Sequence, residues 1–125
     1  MIIGIGVDIA EIARVEKLQE KFGERFARRI LTADELLEFG RRNDSCSYLA
    51  LRFAAKEAVA KACGTGIGAE LGFQSMQIDN DALGKPMLQF LEVANPLVER
   101  LQIRNTLISL SDEKHYAVAM AVVEA

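Results

Sequence analysis

The chain opens with Ile2-Ile3-Gly4-Ile5-Gly6-Val7-Asp8-Ile9, a run rich in β-branched residues that predicts a short, mostly buried strand. Over residues 11–31 the apolar side chains Ile12, Val15, Leu18, Phe22, Phe26 and Ile30 recur every three or four positions, a helical period that Gly23 is placed to divide. Thr32-Ala33-Asp34-Glu35 has the form of a capping box and starts a helix to about residue 41. Asn43-Asp44-Ser45 is turn chemistry before a helix over 47–63, which Gly64 stops.

Past Gly64-Thr65-Gly66-Ile67-Gly68 the period changes. Met76 and Ile78 alternate with polar residues from Gln74 on, 79–86 reads as a turn, and 87–91 as the return strand. Asn95-Pro96 supplies an N-cap and first helical residue for a helix to about residue 102. Strands over 106–111 and 116–123 flank the polar Asp112-Glu113-Lys114-His115, a hairpin. Helices early and strands late predict an α+β fold, an antiparallel sheet packed against helices. No repeat, low-complexity tract or linker divides the 125 residues, so one domain over 1–125 is expected.

Half the residues are hydrophobic and 26% are charged, a globular composition. No apolar stretch approaches the roughly 20 residues a bilayer needs, and the start lacks the basic segment and long apolar run of a secretory signal. Cys46 and Cys63 form no metal-type spacing. A reduced, cytoplasmic chain without membrane attachment is the expectation. The net charge of −3 argues against a bulk nucleic-acid binder.

Within 49–63 the apolar residues cover nearly the whole helix circumference, so this helix should be buried. It nevertheless carries Arg52, Lys56, Glu57 and Lys61, and buried charges are costly unless paired or bound to something. Glu57 and Lys61, one turn apart, can pair, but such a pair is worth only a few tenths of a kcal/mol. Binding of a charged ligand is the other reading. The glycines at 64, 66 and 68 either let backbone N–H groups approach a phosphate or simply cap the helix. They do not make a Walker motif, and Gly4-x-Gly6 lacks the third glycine of a dinucleotide fingerprint. Asp8 is then a carboxylate in an apolar strand, either a strand-end residue or, with Glu57, a holder of a hard cation such as Mg²⁺.

On a continuous helix Arg14, Lys17, Lys21, Arg25 and Arg28 fall within an arc of about 80°. This is either a solvated face or a basic stripe for an acidic protein partner. His115, alone at its hairpin, reads as a surface residue, Cys63 as core, and Ser109 and Ser111 have no base near them in sequence.

Taken together these segments resemble the holo-[acyl-carrier-protein] synthases, the short bacterial class of 4'-phosphopantetheinyl transferases. The resemblance rests on 4–14 (Gly-Ile-Gly-Val-Asp-Ile-Ala-Glu-Ile-Ala-Arg) and on 52–68, with Lys56-Glu57-Ala58-Val59-Ala60-Lys61 followed by Gly64-Thr65-Gly66. Leu83-Gly84-Lys85-Pro86 and Tyr116-Ala117-Val118-Ala119 add to it. It implies transfer of the phosphopantetheine arm of coenzyme A to a serine of apo-acyl carrier protein, with adenosine 3',5'-bisphosphate released, in fatty acid biosynthesis. By the family pattern Asp8 and Glu57 hold Mg²⁺, or Mn²⁺, and Glu57 or a water it organises is a candidate base. Lys61 neutralises the pyrophosphate, Arg52 and Lys56 add anion contacts, and Gly64, Thr65 and Gly66 run beside the nucleotide. Arg14, then Lys17, Lys21 and Arg25, would face the carrier protein, and a homotrimer with active sites between subunits is implied. The chain departs from the family at Asp112, where many members have a His near the coenzyme phosphates. A non-enzymatic coenzyme-binding module is the alternative, one that has no need of the Asp8 and Glu57 carboxylates.

Overall fold

The computed structural model describes all 125 residues. In chain order they form β1 (Ile2–Glu11), α1 (Ile12–Phe22), α2 (Glu24–Ile30), α3 (Ala33–Arg41), α4 (Ser45–Ala62), β2 (Met76–Asn80), β3 (Pro86–Phe90), α5 (Asn95–Leu101), β4 (Asn105–Asp112) and β5 (Tyr116–Glu124). The fold is α+β with antiparallel strands, but in two sheets: β1-β5-β4 and the hairpin β2-β3.

Helix α4 is the centre of the molecule, with eleven of its 18 residues buried, as its apolar circumference requires. One face of the three-stranded sheet lies on it through small side chains. Ala117, Ala119 and Ala121 of β5 are fully buried there, as are Ala54, Ala58 and Val59 of the helix. The glycines of β1 take this furthest. A Cβ on Gly4 would overlap the Ala62 carbonyl oxygen, and one on Gly6 the Ala58 carbonyl oxygen. Strand and helix backbones therefore touch where these glycines sit, and with a period of two Asp8 and Ala10 point the same way.

The periodic run 11–31 is two helices. Gly23 takes φ +60° and its N–H donates to Gln19 O at 2.7 Å, which ends α1 and redirects the chain into α2. The capping box at Thr32 forms as read: Glu35 N donates to Thr32 Oγ1 (3.3 Å) and Thr32 N to Glu35 Oε1 (2.9 Å). Two local expectations are corrected. Asn95 is already helical (φ −53°, ψ −41°), because the 3₁₀ turn Glu92–Ala94 runs into α5; Pro96 keeps its first-turn place. Gln74 lies in the 3₁₀ turn Phe73–Ser75, where its side-chain amide donates to Arg28 O (2.6 Å) and Leu31 O (2.7 Å), so β2 begins at Met76.

The expectation that β1 is mostly buried is corrected as well, because only one face of the large sheet is covered by α4: the other is apolar and exposed, with Ile5, Val7, Ile9, Leu107 and Met120 all more than two-fifths accessible. No helix is long and apolar enough to cross a membrane.

Candidate active site

The approach of β1 to α4 brings Asp8 to Lys61. Lys61 Nζ donates to Asp8 Oδ1 at 2.9 Å and to the Val7 carbonyl at 3.0 Å. The Asp8 side chain is 16% exposed and that of Lys61 50%, so the pair sits at the mouth of the helix–sheet seam. Lys61 thus pairs across to β1 and not with Glu57, its neighbour one turn back.

Glu57 completes the group from the same helix. Burial, and then the negative charge of Asp8, push its carboxyl above the usual carboxylate range, while Lys61 pulls in the opposite direction. Two acids near enough to repel each other are a place where a divalent cation gains attraction from both. The donor set suits a hard ion of the Mg²⁺ kind, which takes one or two carboxylates and completes its shell with phosphate oxygens and water. No group of three His, Cys, Asp or Glu side chains is placed to hold a metal, so the rest of such a shell would come from substrate and solvent.

Glu57 also forms part of the wall of a cavity of about 490 Å³ between α1, α2 and α4. The other walls are largely apolar: Leu18, Phe22, Phe26, Phe53 and Phe73, with Arg25 at the side. Phe53 and Phe73 stack with ring centroids 5.6 Å apart. Glu57 is thus shared between the charged group and a largely apolar cavity.

Three expected anion contacts fall elsewhere. Lys56 is fully buried and spends all three ammonium hydrogens inside the protein, on Glu35 Oε1 (2.6 Å), Ile30 O (2.8 Å) and Phe73 O (3.0 Å). It has no donor left for a coenzyme phosphate; the expectation is corrected to a structural role. Its partner Glu35, also buried, accepts from Ile78 N at 2.9 Å and so ties α3, α4 and β2 together. Glu35 is thus more than the capping-box acid, and the charge of Lys56 on an apolar helix is the sequence feature that points to such a partner.

Arg52 lies nine residues before Lys61, about 180° around the helix. Its guanidinium covers the Tyr48 ring (4.5 Å) and donates to Asn80 Oδ1 (3.0 Å), and its buried Nε has no protein partner. A cleft there also takes in Gly84, Pro86 and Asp112. One chain therefore does not unite Arg52 with Asp8, Glu57 and Lys61.

The amides after α4 are spent on capping. Gly64 N donates to Lys61 O (3.0 Å), and Thr65 N and Gly66 N both donate to Ala60 O (3.2 and 3.1 Å), with Gly64 and Gly66 at positive φ. The helix-cap reading of the Gly64-Thr65-Gly66 amides holds, and the phosphate cradle from them does not.

The basic stripe is shorter than a continuous helix gives. Arg14, Lys17 and Lys21 share one side of α1, while Arg25 belongs to α2 and reaches the cavity beside Glu57. Arg28 pairs with Glu24 at 3.4 Å on the surface. His115 is exposed at the β4–β5 turn, and Cys63 is core.

Residues 4–121 match the family described as the 4'-phosphopantetheinyl transferase superfamily. The chain belongs to this superfamily. It is an enzyme of the holo-[acyl-carrier-protein] synthase class: it is 50% identical over 124 residues to the Shewanella frigidimarina protein of that name, covering 99% of this chain and 98% of the other. A Vibrio cholerae holo-[acyl-carrier-protein] synthase is 51% identical with the same coverage. The crystal structure of the Neisseria meningitidis synthase superposes with a TM-score of 0.96 at 46% identity, over 100% of both chains. The Helicobacter pylori synthase in complex with coenzyme A has a TM-score of 0.86 at 32% identity, over 96% of this chain and 99% of that one. The transferase fold is thus that of proteins solved with the coenzyme bound.

Proposed function

We propose that this transferase moves the 4'-phosphopantetheine arm of coenzyme A onto a serine hydroxyl of apo-acyl carrier protein, with Mg²⁺, releasing adenosine 3',5'-bisphosphate, as a step supporting fatty acid biosynthesis in the cytoplasm. The observation that carries this reading is the Lys61–Asp8 contact, with Glu57 one turn back on α4, close enough to feel both charges and lining a largely apolar cavity. The coenzyme complex of the Helicobacter pylori relative supports the choice of donor.

The reaction replaces the bond between the two coenzyme phosphates with a bond from the serine oxygen to the phosphate that carries the arm. Catalysis of this kind rests on positioning and charge neutralisation. A bound Mg²⁺, or Mn²⁺, supplies Lewis-acid stabilisation of the diphosphate oxygens. Asp8 and Glu57 would hold it. Lys61, half exposed on its flexible stem, reaches the leaving phosphate and neutralises the charge left there. Glu57, whose carboxyl is raised by burial and by Asp8, or a water it orients, takes the serine proton. The apolar cavity at Glu57 accepts the uncharged arm.

Arg14, Lys17 and Lys21 on α1, with Arg25 next to them, form the docking face for an acidic carrier protein. The exposed apolar sheet face built on Ile5, Val7, Ile9 and Met120 is of the kind that self-association covers. A homotrimer is the assembly that would cover it. Intact-mass spectrometry of apo-acyl carrier protein incubated with this protein, coenzyme A and Mg²⁺ tests the reading. A phosphopantetheine-sized gain is expected, and no gain beside an active control overturns it.

A further inference from the structure

We infer that Lys61 is an internal competitor for the cation position, so that the divalent ion is taken up together with a diphosphate and not on its own. This rests on the Asp8–Glu57 reading above and adds an order of binding to it. The warrant is the engagement of Asp8 itself. One of its two carboxylate oxygens accepts from Lys61 Nζ at 2.9 Å, and the Val7 carbonyl at 3.0 Å holds the same ammonium in place. Lys61 reaches this position from α4, where the caps from Gly64 to the Lys61 carbonyl and from Thr65 and Gly66 to Ala60 fix the last turn. The strand side is equally fixed, because Gly4 and Gly6 lock β1 onto α4.

A divalent ion arriving alone must take Asp8 from this ammonium or sit beside it, and both are unfavourable. Displaced by the ion alone, Lys61 loses its counter-charge, since its one-turn neighbour Glu57 would be bound to the same ion and only solvent is left to it. A diphosphate changes the balance. It brings oxygens that accept from Lys61 while also completing the ion's shell, so the ammonium can leave Asp8 without losing its counter-charge. The half-exposed, flexible Lys61 side chain is suited to that move; the fully buried Lys56 is not. Lys61 is in this respect a positioning residue as well as a neutralising one.

The test measures binding, not turnover. Free Mn²⁺ is followed by electron paramagnetic resonance with the full-length protein, without and then with inorganic pyrophosphate. Lys61→Met should bind Mn²⁺ alone roughly fivefold more tightly than wild type, the scale of removing one partly exposed charge pair. Lys61→Arg, which keeps the charge, should stay close to wild type. With pyrophosphate the order should reverse, wild type retaining Mn²⁺ better than Lys61→Met. Equal or weaker Mn²⁺ binding by Lys61→Met in the absence of pyrophosphate overturns the inference while leaving the carboxylate pair intact. Asp8→Asn separates the two claims: if it binds Mn²⁺ with pyrophosphate as well as wild type does, the carboxylate site itself is wrong. Circular dichroism melts confirm that each variant is folded.

Discussion

Gly6 of β1 packs so closely on Ala58 of α4 that a Cβ at Gly6 would overlap the Ala58 carbonyl oxygen. The obstacle is backbone, which cannot swing aside. Gly6→Ala is therefore expected to push β1 off the helix, at about 1–3 kcal/mol of overpacking or more, and to move Asp8 away from Lys61. Urea denaturation should show the loss of stability, and transfer measured where the variant is still folded should fall further than wild type at the same temperature. A Gly6→Ala protein with wild-type stability would show that the close approach is not required.

Asp8→Ala and Glu57→Ala should each abolish transfer and leave the fold standing, because neither side chain is part of the buried core. Initial rates across a Mg²⁺ titration provide the check. Metal-dependent turnover persisting in either variant would remove that residue from the cation site.

Lys56 and Glu35 behave differently. Lys56→Met leaves the buried Glu35 without its cation and is expected to cost about 3–5 kcal/mol. Glu35→Leu combined with Lys56→Met should recover a large part of that loss, because no buried charge then stands alone. Denaturation midpoints of the two single variants and the double variant measure the coupling. A coenzyme-binding lysine would give the opposite pattern, a raised KM with little change in stability.

For the basic face of α1, Arg14→Glu should raise the KM for carrier protein well beyond any change in that for coenzyme A, and the effect should shrink as salt is added. Equal changes in both constants would argue against docking through α1.

Both thiols are held protonated. Burial pushes the Cys63 thiol up from its ordinary value near 9.0, and burial with Glu16 and Glu20 does the same for Cys46, whose Sγ donates to Gln19 Oε1. In the unfolded chain these thiols ionise first. The folded state then binds more protons, so the stabilisation present below pH 9 is lost as pH climbs past it. Denaturation midpoints between pH 8 and 10 should fall more steeply for wild type than for Cys63→Ala, and identical slopes would refute the assignment.

The features legible in the chain before folding are local ones. Apolar periods, the Thr32–Glu35 box, the Gly23 and Gly64 stops and the polar turn before β5 depend on neighbours a few residues apart, and each produced its element. The apolar circumference of α4 also announced its burial, and the charges on that helix announced a site. Which charge served which purpose was decided only in three dimensions. Lys56 and Lys61 look alike in a string of letters; Glu35 on α3 consumes one and Asp8 on β1 meets the other, at chain separations no period reports. Arg52 differs: its nine-residue spacing from Lys61 already puts it on the opposite side of the helix, and only its partners, Tyr48 and Asn80, were left to packing. The reason is physical: backbone geometry is set by nearby residues, whereas the partner of a charge is set by which surfaces pack. Here two glycines and a row of alanines made that packing close enough to matter.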